Sequence, residues 1–147
     1  MVSESVTVST DNKAVIRRFL EEYLNGHNVG VVDELFAADY VNHLLPPGTP
    51  PGPGGEKGLF YMFYSAFPDF SITMNDLIAE GDKVVARWTF HGTNTGEFQG
   101  MPATGRQASF EATNVFRLSG GKIVENWSSF DQLGLMQQLG VIPTPGQ

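Results

Sequence analysis

Residues 121–135 read GKIVENWSSFDQLGL, a pattern that predicts the last strand of a sheet followed by a terminal helix. In a strand, residues two apart share a face. One side therefore carries Ile123, Glu125, Trp127, Ser129 and Asp131. Two carboxylates and an indole are unusual on a core face, and the strand alone leaves open which face is inside. If the acidic face lines an enclosed pocket, burial would raise the pKa of Asp131, as a general acid/base near neutral pH requires.

The composition is that of one globular domain. The chain has 147 residues, 41% of them hydrophobic, including 11 phenylalanines, enough to bury a core of its own. No cysteine is present, which excludes disulfides, thiol catalysis and cysteine-based zinc sites. No HxH, HExxH or facial-triad spacing appears, so we expect no metal site.

The charge balance bears on partners and location. The formal net charge is −7, which argues against nucleic acid or an anionic membrane surface as a partner. Residues 1–10 lack the basic and apolar regions of a signal peptide. No apolar run approaches the roughly 20 residues of a membrane span. We therefore expect a cytoplasmic protein.

Helical periodicity occupies the first half of the chain. Residues 1–10 are predicted to be a flexible polar tail, and 11–143 a single domain. Asp11 or Asn12 would cap a first helix that ends at Asn25-Gly26. Further helices are predicted over Val29–Phe36 and Glu56–Phe67. Between them, Pro46–Gly55 is too rich in Pro and Gly for regular structure and predicts a rigid surface loop at a pocket mouth.

Strand periodicity takes over after Pro68. Strands are predicted over Ser71–Glu80, Lys83–Thr93, Gln107–Leu118 and Lys122–Asp131, and a terminal helix or turn over Asp131–Leu139. Helices followed by an antiparallel meander predict an α+β fold, with helices packed on a curved sheet that encloses a pocket. An outer sheet face carrying Trp88 and Phe90 would need cover, which favours a homodimer or higher homo-oligomer.

Several polar residues stand out on these elements. Asn114 interrupts an apolar strand face and is either a structural hydrogen-bond partner or a ligand contact. His43 and His91 lie at element ends, where pockets form. Arg87 needs a carboxylate such as Glu125, Glu111 or Asp131, either as a structural ion pair or to hold Asp131 ionised or bind a substrate oxygen. Phe63 belongs to an aromatic-rich helix that is first of all core packing.

Taken together, the chain from Asn12 to Pro143 resembles the SnoaL-like polyketide cyclases, also called ester cyclases, which have the nuclear-transport-factor-2-like cone. The segments that carry the resemblance are 40–43 (YVNH), 87–98 (RWTFHGTNTGEF), 102–106 (PATGR), 121–127 (GKIVENW), Asp131 and 137–140 (QQLG).

The resemblance implies an intramolecular aldol condensation on a hydrophobic, carbonyl-bearing, polyketide-like substrate. An aspartate resembling Asp131 would be the general acid/base, without metal or cofactor. His91 and Arg87 complete the predicted catalytic set. The predicted substrate-binding residues are Asn42, His43, Asn114, Trp127 and Phe63.

Two other functions stay open on this fold. One is a non-catalytic small-molecule-binding protein. The other is a hydrolase like limonene-epoxide hydrolase, whose Asp–Arg–Asp set is matched in part by Arg87 and Asp131. Thr89 stands where that set has its further aspartate, so activation of water is disfavoured.

Overall fold

The structure is a computed structural model that describes residues 4–143, with side chains from residue 8 onward. The helices are α1 (Glu4–Arg18), which continues as a π-helical segment (Phe19–Asn25), α2 (Val31–Leu35), α3 (Gly54–Ala66) and α4 (Gln132–Gln138). The strands are β1 (Phe36–Asn42), β2 (Ser71–Glu80), β3 (Lys83–Thr93), β4 (Gln107–Ser119) and β5 (Lys122–Phe130).

The five strands form one sheet in the order β1-β5-β4-β3-β2. Strands β2 to β5 form an antiparallel meander, and β1 pairs with β5 in parallel. Gly120 and Gly121 both have positive φ, +58° and +78°, which is what a tight two-residue hairpin turn requires. The predicted turn at this position is confirmed.

One face of the sheet is buried against the helices. Strand β4 alternates between buried and exposed residues along most of its length. Its buried side chains are Ala108, Phe110, Ala112, Asn114, Phe116 and Leu118. On β3, Phe90 is buried and Trp88 lines the interior. The prediction that Trp88 and Phe90 lie on the outer face is therefore wrong, since the alternation of β3 turns both toward the helices.

A β-bulge interrupts β5 after its first residues. Leu118 pairs with Ile123, but the preceding Arg117 pairs with Glu125, so β5 contains one extra residue at Val124. An extra residue reverses the inward and outward faces of the strand beyond it. Ile123 is buried before the bulge and Asn126 after it. The predicted single face from Ile123 to Asp131 is therefore wrong.

Helices α1 and α3 begin earlier than the sequence pattern predicts. Helix α1 already covers Glu4 to Arg18, so neither Asp11 nor Asn12 caps it, and Asn12 is buried within it. Helix α3 begins at Gly54, which places Glu56 in its first turn. The helices contribute core side chains that pack on the sheet, among them Ile16, Phe19, Leu20, Tyr23 and Phe60.

Candidate active site

A cavity lies between the buried face of the sheet and the helices. The space within its walls is about 730 Å³, including the part open to solvent. Its walls are mainly aromatic: Phe19, Tyr23, Phe60, Phe63, Phe70, Trp88, Phe90, Phe110 and Phe130 line it. Leu44 and Glu56, just outside the two ends of the Pro46–Gly55 loop, also line it. Such walls favour a flat, largely apolar molecule.

The cavity has a polar wall, which we define as Asn42, Glu56, Asn114, Asn126 and Ser128. Strand β1 supplies Asn42, helix α3 supplies Glu56, and β4 and β5 supply the other three. The four residues other than Ser128 are between 2% and 7% exposed. Buried polar groups of this kind need partners, and their hydrogen bonds fix where each atom points.

Hydrogen bonds connect the part of the polar wall that lies on the sheet. The Nε1–H group of Trp88 donates to Asn114 Oδ1 at 2.6 Å. The Asn114 side-chain amide then donates to Asn126 Oδ1 at 3.0 Å and to Ser128 Oγ at 2.5 Å. Asn114 and Ser128 are cross-strand partners, so the sheet register itself brings them together. The network holds these side chains in fixed orientations.

Glu56 is the carboxyl group of the polar wall, and it is 7% exposed. The Tyr40 hydroxyl donates to its Oε2 at 2.9 Å, and the Asn42 amide donates to the same oxygen at 2.8 Å. Burial raises the pKa of Glu56, because it destabilises the charged form more than the two hydrogen bonds stabilise it. Perturbed pKa values of this kind cluster at functional sites.

Residues 14–139 match the family model described as SnoaL-like polyketide cyclase. The chain belongs to the SnoaL-like polyketide cyclase family. The aklanonic acid methyl ester cyclase DauD of a Streptomyces species is 31% identical over 140 residues, covering 89% of this chain and 83% of the relative. The aklanonic acid methyl ester cyclase DnrD of Streptomyces peucetius is 29% identical over 138 residues, covering 89% and 92%.

Solved structures show the same likeness. TsrD from Streptomyces laurentii superposes with a TM-score of 0.82 at 30% identity, covering 97% of this chain and all of that one. Wild-type IdmH from Streptomyces antibioticus does so with a TM-score of 0.76 at 33% identity, covering 88% and 98%. The predicted α+β cone is therefore confirmed.

Asp131 does not line the cavity of this SnoaL-like protein. It is exposed and precedes α4 as its N-cap, where its Oδ1 accepts a hydrogen bond from the Gly134 N–H at 2.8 Å. Because of the bulge, Asp131 follows the outward residues Trp127 and Ser129, whereas Asn126 and Ser128 face the cavity. The expected enclosed environment of Asp131 is therefore wrong.

The other two predicted catalytic residues also lie elsewhere. Arg87 is on the outer face, where it forms ion pairs with Asp76 and Glu111, each at 2.7 Å. Of its predicted partners, only Glu111 is therefore found. His91 is exposed near the C-terminal end of β3, and its Nδ1 lies 3.4 Å from Ser109 Oγ. The outward position of Arg87 also removes the basis for an epoxide-hydrolase arrangement.

The predicted substrate-binding residues divide into two groups. Asn42, Asn114 and Phe63 line the cavity. His43 and Trp127 instead stack on each other outside it, with ring centroids 4.9 Å apart, and His43 Nε2 lies 2.8 Å from Glu125 Oε2. Hydrogen bonds from His43 and Arg117 lower the pKa of Glu125. The main-chain N–H of His43 donates to the main-chain oxygen of Asn126 at 2.9 Å, so this exposed cluster lies where the end of β1 meets β5. In the described hydrogen bonds, its side chains do not contact the side chains of the polar wall.

Sequence reasoning missed Glu56, Asn126 and Ser128. Glu56 follows the Pro/Gly loop and has the pattern of an ordinary first-turn helix residue. Asn126 and Ser128 were hidden by the bulge, since uninterrupted alternation places them on the face opposite the buried Ile123. The apolar face around Asn114 was the available signal, because a buried amide requires polar neighbours on the adjoining strand.

The described residues contain neither a cluster of metal-binding side chains nor a membrane-spanning helix. Within residues 4–143, no three His, Cys, Asp or Glu side chains come together in a group that could hold a metal ion. No helix in that part of the chain is long and apolar enough to cross a membrane.

Proposed function

We propose that this chain catalyses an intramolecular aldol ring closure on a carbonyl-bearing, polyketide-like molecule. The observation that carries the proposal is the cavity, which has aromatic walls for an apolar body and one polar wall for its oxygens. Membership of the polyketide cyclase family supports the same substrate class. The two curated relatives are named for aklanonic acid methyl ester, which makes that compound the first substrate to test.

The chemistry requires a proton acceptor and little else. A C–H bond between two carbonyl groups breaks, and its proton goes to a carboxylate. The enolate carbon forms a new C–C bond to a second carbonyl carbon, whose oxygen then takes the proton. Substrate and product are isomers, so no co-reactant is consumed. A proton between carbonyls is acidic enough for a carboxylate whose pKa is raised by burial.

A carboxyl group is accordingly the general acid/base in this proposal. The family resemblance points to Asp131, which caps α4 at the surface. The cavity offers Glu56 instead. The enolate oxygens would lie among the amide and hydroxyl groups of the polar wall, where fixed dipoles stabilise developing charge.

The test is incubation of the purified protein with aklanonic acid methyl ester. We expect protein-dependent formation of a product of identical mass and different chromatographic retention, at a rate well above spontaneous closure in the same buffer. Quenching of tryptophan fluorescence provides a separate binding measurement, since Trp88, one of the two tryptophans, lines the cavity. If turnover with the protein is no faster than in the buffer control, the proposal that this protein cyclises aklanonic acid methyl ester is wrong.

A second candidate function is binding without catalysis. It is favoured by one observation: Asp131, Arg87 and His91 all lie outside the cavity lining. In that case the same experiment would give saturable quenching of Trp88 fluorescence without turnover. Oligomeric state is a separate prediction, and sedimentation velocity of the purified chain would test the homodimer.

A further inference from the structure

We propose that Glu56, rather than Asp131, is the residue that exchanges a proton with the molecule bound in the cavity. This inference rests on the proposed cyclase function and names the catalytic residue of that site. Among the described residues, Glu56 is the only aspartate or glutamate that lines the cavity. A general base must come within hydrogen-bond reach of the proton it removes. Asp131 lies at the surface and is occupied as a helix cap.

The two oxygens of Glu56 have different surroundings. Tyr40 and Asn42 both donate to Oε2. In the part of the chain with described side chains, Oε1 accepts no hydrogen bond. The sole fully buried side-chain polar atom without a partner there is Nε2 of His27. Oε1 therefore retains accessible surface, and since Glu56 lines the cavity, that surface is available to a bound molecule.

This asymmetry determines where the proton resides. Oε2 already receives two donors, so a proton on the carboxyl group must occupy Oε1. The ionised group would accept the carbon-bound proton at Oε1, and the protonated group would return it to the alkoxide oxygen formed by ring closure. Tyr40 and Asn42 act as positioning residues, because they hold Oε2 and thereby orient Oε1. Burial raises the pKa of Glu56, which makes the ionised carboxyl group a stronger proton acceptor.

The first experiment compares Glu56→Gln with Asp131→Asn as a matched pair. Glutamine can still accept the Tyr40 and Asn42 hydrogen bonds, and asparagine is still a good N-cap. We expect Glu56→Gln to reduce cyclisation of aklanonic acid methyl ester by about 100-fold or more. Its binding affinity, followed by Trp88 fluorescence, should change little. Asp131→Asn should keep the wild-type rate. The opposite result, with activity lost in Asp131→Asn and retained in Glu56→Gln, overturns the inference.

The second experiment does not depend on turnover or on the folding of a variant. Wild-type protein carrying ¹³C-labelled Asp and Glu carboxyl groups is titrated with 1,8-dihydroxyanthraquinone, a flat three-ring probe with carbonyl and enol-like hydroxyl groups. We expect the Glu56 carboxyl signal to shift on saturation and the Asp131 signal to stay in place. Saturable quenching of tryptophan fluorescence without a shift at Glu56 contradicts the inference.

The two experiments also separate the two proposals. If the wild type binds the probe with a shift at Glu56 but does not cyclise aklanonic acid methyl ester, the cyclase function fails on that substrate and Glu56 stands as the ligand-contacting carboxyl group. If the wild type cyclises the ester and Glu56→Gln does so equally well, the function stands and Glu56 is only a structural link between β1 and α3.

Discussion

The Tyr40 hydroxyl is one of the two donors that hold Oε2 of Glu56, so it stabilises the ionised form of that carboxyl group. The Tyr40→Phe substitution removes this donor and should raise the pKa of Glu56 further. A hydrogen bond to a charged group contributes roughly 1.5–3 kcal/mol, and one pKa unit corresponds to about 1.4 kcal/mol. We expect the rising limb of the pH profile of kcat/KM to move upward by about one unit, with activity recovering at higher pH.

A second buried tyrosine provides the control for this substitution. The Tyr23 hydroxyl donates to the main-chain oxygen of Glu56 at 3.2 Å, so it also contacts Glu56 but not the carboxyl group. Tyr23→Phe should change stability without moving the midpoint of the pH profile. If the midpoint moves equally in both variants, then the midpoint of the pH profile does not report the protonation of the Glu56 carboxyl group.

At the scale of secondary-structure elements, the two faces of β4 have opposite environments. Ala112 is buried and lines the cavity, whereas the adjacent Thr113 is exposed on the outer face. Ala112→Phe should fill part of the cavity and weaken binding of aklanonic acid methyl ester by at least about tenfold. Overpacking should also cost about 1–3 kcal/mol of stability. Calorimetric titration and urea unfolding measure the two effects.

The matched substitution on the opposite face is Thr113→Phe. It adds the same aromatic ring to the neighbouring position, so we expect binding within about twofold of wild type, since surface changes away from buried features have small effects. Comparable loss of affinity in both variants would mean that ligands do not bind between β4 and the helices.

The elements themselves were largely predictable from periodicity. The meander of β2 to β5 and its glycine turns follow from alternation and turn residues, and β4 has the predicted buried face. The bulge at Val124 could not be read from alternation, because apolar Ile123 and Val124 are adjacent and either can face the core. That one residue moved Asp131 outward and brought Asn126 and Ser128 inward. Glu56 was missed because its partners Tyr40 and Asn42 come from a strand earlier in the chain.

At the scale of the whole molecule, Glu56 links stability to pH. Burial places its pKa in the folded protein above the ordinary value of 4.5. At pH values between 4.5 and that higher pKa, the folded state therefore keeps a proton that the unfolded state has released. The stability contribution is present below pH 4.5 and is lost as pH rises through the folded pKa. Between pH 4.5 and the folded pKa, the free energy of unfolding of the wild type should fall relative to that of Glu56→Gln. The expected fall is up to about 1.4 kcal/mol per pH unit.

Urea unfolding of both proteins at a series of pH values measures this difference. The Glu80→Gln variant is the control, because Glu80 is exposed at the end of β2 and its replacement should leave the wild-type pH dependence unchanged. A constant difference in unfolding free energy between wild type and Glu56→Gln at all pH values would contradict a raised pKa for Glu56.

The parallel pairing of β1 with β5 has a consequence for the order of folding. It joins the first and the last strand in chain order, with Asn42 opposite Asn126, whereas β2 to β5 pair with their sequence neighbours. Pairings distant in sequence form slowly because chain closure must precede any gain in contacts. The hairpins can therefore assemble first, and the polar wall is completed only when β1 docks on β5. A chain still being synthesised would have no site until its last strand has emerged from the ribosome.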